Sequence, residues 1–124
     1  MKSEMLYRFH VNLFALHSSG QPFHCTWEQA AQSLESLPRM MFEPDGSWIF
    51  SGGFGKNRWQ VDGHLFDFDE RLHRVELHGQ CPPESFDALL ACFGWPETEL
   101  IFEQVLEGVR LRDAEFRRAA SMPG

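Results

Sequence analysis

With 124 residues, 43% of them hydrophobic and 23% charged, the chain has the size of one domain and enough apolar surface to form a core without disulfides or metal. A net charge of −7 and a pI near 5.3 exclude electrostatic capture of nucleic acid or an anionic membrane, which draws on clustered Lys and Arg. Arg8, His10 and Asn12 interrupt the first apolar stretch, and no apolar run reaches the roughly 20 residues of a bilayer span, so neither a secretory leader nor a membrane anchor is expected.

Cys25, Cys81 and Cys92 are odd in number and lack CxxC spacing. That pattern suits reduced thiols, and a cytoplasmic protein is the expectation. Twelve Phe and four Trp stand against one Tyr, an aromatic surface almost free of phenolic hydroxyls.

Tyr7, Phe9, Val11, Leu13 and Ala15 alternate with Arg8, His10, Asn12 and Phe14, the period of a half-buried first strand. Ser18 to Pro22 form a polar break. Thr26 and Gln29 are spaced as a capping box, and Trp27, Ala30, Ala31, Leu34 and Leu37 follow at helical spacing, predicting a helix over 27–37 that Pro38 stops. Met40 to Glu43 and Ser47 to Ser51 flank Pro44-Asp45-Gly46 and read as a hairpin. Gly52 to Asn57 is a loop, and strand character resumes over 58–69.

Within that stretch Asp62-Gly63 admits two readings. A tight turn there pairs Trp59 with Phe66 and Arg58 with Asp67. A long bent strand, which is preferred, moves the turn to Asp69-Glu70-Arg71 and makes His73 to His78 the return. Pro82-Pro83-Glu84 opens a second helix carrying Phe86, Leu89, Leu90 and Phe93, ended by Gly94 and Pro96. Phe102, Val105, Leu106 and Val109 give a third helical pattern from Glu97, although Leu100-Ile101-Phe102 alone reads as strand. Asp113 is placed to cap a short final helix with Phe116. The expectation is a single α+β domain over 1–124, frayed at about 1–4 and 121–124. Its antiparallel sheet has four to five strands in β-α-β-β-β-α-α order, with helices packed on one face.

Six histidines raise metal binding, but the spacings of seven (His10, His17, His24) and five (His73, His78) are not those of ligand pairs, so no metal and no cofactor are expected. Gly52-Gly53-Phe54-Gly55-Lys56 lacks the first Gly, the Ser or Thr and the following helix of a phosphate-binding loop. Weak catalytic candidates are His64 with Asp62 and Asp67, whose carboxylates crowd one stretch, and Cys25, whose thiol precedes a helix N-terminus. Trp48, Phe50, Phe54, Trp59, Phe66 and Phe68 form an aromatic stripe beside Arg58, and Trp48, Phe50, Phe54, Arg58 and Trp59 are the binding candidates if part of the stripe is exposed. The leading expectation is a noncatalytic module that binds a protein partner or itself. The alternative is a small ligand-binding domain or enzyme with a His/Asp site between sheet and helices.

Overall fold

The computed structural model describes residues 5–16 and 23–121. Alternation makes the first strand, β1 (Tyr7–Ala15): its odd-numbered residues are buried and its even-numbered ones point the other way. The helix α1 (Trp27–Glu35) begins with the complete capping box, Thr26 Oγ1 accepting from the Gln29 N–H at 3.1 Å and the Gln29 side chain accepting from the Thr26 N–H at 2.9 Å. Two orphan amides are thereby satisfied. Strands β2 (Met40–Phe42) and β3 (Ser47–Gly52) form the expected hairpin. At its turn Gly46 takes φ of 96° and Asp45 accepts from both the N–H and the hydroxyl of Ser47.

The long-strand reading of 58–69 is the observed one. β4 (Trp59–Phe68) runs straight through Asp62-Gly63, and β5 (Arg71–Cys81) returns after a two-residue turn in which Asp69 and Glu70 have φ of 57° and 67°. Positive φ at both positions is the turn whose twist matches its flanking strands. The register irregularity lies at Phe66/Asp67, not at Gly63. Gly63 has a different purpose: a Cβ there would lie 2.0 Å from the Trp48 indole, its cross-strand neighbour. Gly52 and Trp59 repeat the arrangement in reverse, a Cβ on Gly52 meeting the Trp59 ring at 2.2 Å. Two indoles thus lie flat over two glycines on the buried face, one from each strand.

After α2 (Pro83–Ala91), with Pro83 in the first turn, the expected third helical pattern is a hairpin instead: β6 (Leu100–Gln104) and β7 (Val109–Leu111), joined through Gly108 at φ of 70°. The sheet therefore has seven antiparallel strands in the order β2-β3-β4-β5-β1-β6-β7, not four or five. Pairing with β1 decides the outcome. Leu100 and Phe102 join the core as residues of a strand, and Phe102 stacks on Phe116 at 4.5 Å. Burying such side chains contributes about 2–3 kcal/mol each. A helix α3 (Asp113–Ser121) ends the described chain. The polar break at 18–22, the fraying of 1–4 and the last three residues lie outside the described residues.

All three helices contribute to one core. Phe86 of α2 sits 5.6 Å from Tyr7, 5.0 Å from Phe9 and 5.4 Å from Phe116, while Ala30, Ala31 and Leu34 of α1 and Trp48, Phe50, Val61 and Leu65 belong to the same cluster. Arg117 fastens α3 to α2. Its guanidinium hydrogen-bonds Asp113, lies 2.8 Å from Asp87 and stands over the rings of Tyr7, Phe86 and Trp95 at 5.2–5.8 Å. Burial works against its charge, but hydrogen bonds to Asp113, Asp87 and Tyr7 outweigh burial and raise its pKa. Among the described residues no helix is long and apolar enough to cross a membrane.

Candidate functional site

The period of two that sends one set of side chains to the core sends the other set to the opposite face of the sheet, which none of α1, α2 and α3 packs against. Cross-strand register arranges that open face into rows. One row runs Ile49, Asp62, His78, His10 across β3, β4, β5 and β1, and the next runs Ser47, His64, Glu76, Asn12, Glu103, Arg110 across six strands. Ser51, Gln60, Gln80 and Arg8 lie on one side of these, and Phe66 with Arg74 and Phe14 with Ile101 on the other.

The rows are tied together laterally. The His10 and His78 rings stack at 4.1 Å, and His10 Nε2 is 2.8 Å from Glu76 Oε2. Asn12 Nδ2 donates to Glu103 at 3.3 Å, and Arg110 donates to the other Glu103 oxygen at 3.2 Å while its guanidinium stands 5.0 Å over Phe14. His64 stacks on Phe66 at 4.4 Å, and the Arg74 guanidinium lies 3.9 Å above the same ring. Ring stacking and cation–π contact hold these long side chains in fixed positions at the surface.

The catalytic candidates are dispersed. Asp62 and His64 do share the open face, two residues apart on β4. Asp67 follows the irregularity at Phe66/Asp67 and lines a shallow crevice with Trp27, Glu28, Pro44, Asp45 and Glu70, on the side of α1. The structure does not bring the three together. Cys25 is half-buried, and burial raises its thiol pKa, opposite to the activating influence expected of a helix N-terminus. Cys81 and Cys92 are buried free thiols. Burial, with Glu84 and Asp87 adding, pushes Cys81 up to about 12, and burial with the Cys25 thiol pushes Cys92 up to about 11. Among the described residues no group of three or more His, Cys, Asp and Glu could hold a metal ion.

The binding candidates do not form one patch either. Trp48 and Phe50 are core residues, and Trp59 is half-buried with its ring edge-on to Phe50 at 5.1 Å. Phe54 is 83% exposed in the β3–β4 loop with the Arg39 guanidinium 5.5 Å from its ring, and Arg58 ends the short 3-10 turn of that loop. Of the aromatic stripe, Phe66 and Phe68 stand away from the core. The residues that do form a continuous surface are His10, Asn12, Glu76, His78, Glu103 and Arg110, each ordinary in its own strand and joined only by the register. The alternation of Arg8, His10, Asn12 and Phe14, matched by Arg74, Glu76, His78 and Gln80, is the signal that marks them. No protein-family model, curated protein or solved structure matches the chain.

Proposed function

We propose that the chain is a noncatalytic interaction module that holds a protein partner on the open face of its sheet. The observation that carries this reading is the ordered surface itself, in which arginines and imidazoles are already fixed on aromatic rings and carboxylates across β4, β5, β1, β6 and β7. Side chains held in place before contact lose little conformational freedom on binding, which leaves more of the contact energy as affinity. The alternative of a catalytic or ligand site between sheet and helices is less well supported: Phe9, Phe86, Phe102 and Phe116 pack together there, and the cleft beside them between β1 and α3, lined by Arg8, His10, Phe116 and Ala120, holds none of Asp62, His64 and Asp67.

The test is photo-crosslinking in the producing cell, with a diazirine amino acid at Ser47 or Gln60 on the open face, or at Gln32 on the exposed side of α1. Discrete protein adducts from Ser47 and Gln60, absent from Gln32, are expected. No adduct from the open face, or the same adducts from both faces, overturns the proposal.

A further inference from the structure

The charges of the open face differ from those of the chain. In the rows across the sheet, Asp62, Glu76 and Glu103 are matched in number by Arg8, Arg74 and Arg110, and Arg71, opposite Phe68 beyond them, adds one cation, so none of the net charge of −7 is carried by this face. A basic partner would find no excess of carboxylates there, and an acidic one only a single extra cation. A surface with nearly equal numbers of both signs can be matched by a copy of itself, and face-to-face docking leaves the acidic remainder of both molecules pointing outward.

Area and composition agree with that partner. Seven strands about 4.8 Å apart, three to eleven residues long and averaging about seven at about 3.4 Å per residue, cover an area equal to roughly 29 by 23 Å, or about 650 Å² in projection. Standing side chains raise the accessible area above its projection, toward the roughly 800 Å² per partner of a stable interface. The rows hold Arg and Phe, which protein interfaces favour, beside Ser, Asp and Glu, which they do not. Ile49, 37% exposed, and Met41, 64% exposed, pair with each other at one end of the face. Phe14 and Ile101, half-buried, pair on β1 and β6, and Phe66 lies between them and that end, on β4. Apolar side chains are thus spread among the polar ones across the face.

We infer that the partner is a second copy of this chain, packed open face to open face as a two-layer sheet dimer with a two-fold axis. This rests on the reading above that the open face is the binding surface. Two sheets so packed stand about 10 Å apart, their strands rotated by about 30°.

Sedimentation equilibrium of the purified chain at pH 7.5 tests it. The expected mass is twice 14.4 kDa. Ile49→Arg and Asp62→Arg, at exposed positions of the face, are each expected to weaken association by about tenfold or more, and Gln32→Arg on α1 to leave it unchanged. Circular dichroism matching the parent chain confirms that the variants fold. A monomer mass up to about 100 μM overturns the inference, and so does a dimer indifferent to both face variants. The two proposals fail separately. A monomer whose Ser47 and Gln60 crosslinks reach a different protein removes self-association and leaves the interaction module standing, whereas a monomer with no open-face crosslinks removes both.

Discussion

Gly63→Ala adds one methyl group where the Trp48 indole already lies. The new Cβ would be 2.0, 2.2 and 2.4 Å from Cζ2, Cε2 and Cη2 of that ring, against about 3.5–4.0 Å for carbon atoms at their optimal separation. The ring must therefore withdraw by about 1.5 Å, and at 2% exposure Trp48 has packed neighbours on its other side. Gly63 is an extended strand residue with no positive φ, so alanine fits the backbone and the penalty is steric. Overpacking of this kind costs about 1–3 kcal/mol, and more where nothing can move. The stiffer unfolded chain offsets about 0.4–1 kcal/mol of it. We expect a net loss of about 2 kcal/mol, or a fall in Tm of roughly 6–10 °C for a chain of this size.

Trp48→Phe removes Cζ2 and Cη2, two of the three atoms in conflict. It also deletes a buried indole N–H that has no hydrogen-bond partner among the described residues, which offsets part of its own cavity penalty. In a double-mutant cycle followed by urea denaturation, the pair should be less unstable than the sum of the single variants by about 1–2 kcal/mol. Gly63→Ala as stable as the parent chain, or strictly additive with Trp48→Phe, refutes the steric account of this glycine.

Arg117→Ala should lower stability by about 2 kcal/mol in urea denaturation, because Asp113 and Asp87 are left facing one another without their cation, and Arg117→Lys should recover less than half, lacking the planar fork. Thr26→Ala removes the capping hydroxyl and should cost about 1 kcal/mol, visible as a lower urea midpoint with unchanged slope. The buried thiols give a pH dependence of definite sign. Their folded pKa values, about 12 for Cys81 and about 11 for Cys92, lie above the ordinary 9.0, so the unfolded chain loses protons first and the contribution to stability is lost as pH rises from about 9. Each thiol supplies a slope of at most about 1.4 kcal/mol per pH unit. Urea midpoints from pH 8 to 10.5 should fall for the parent chain and fall less for Cys92→Ala.

The elements set by local chemistry were legible in the sequence: β1 from its alternation, α1 from Thr26 and Gln29, the β2–β3 turn from Pro44-Asp45-Gly46. The β6–β7 hairpin was not. Phe102, Val105, Leu106 and Val109 fall at helical spacing, yet only Phe102 is buried, while Leu106 is 84% exposed at the hairpin tip. The strand forms because β1 offers its free side to 100–104, a pairing about ninety residues away that no local window contains. The site was hidden for a related reason. Alternation shows that Trp48 and Ile49 face opposite ways, but only the docking of the helices makes the Trp48 side the interior, so Trp48 and Phe50 went inward and the modest histidines were left outside.

The two outermost strands have a consequence for assembly. β2 and β7 are three residues long each, too short to template the addition of a long strand from another molecule. Short edges of this kind resist sideways accretion into ribbons or fibrils. A face-to-face pair of the kind proposed above uses up the surface that made it, so the proposed assembly stops at two.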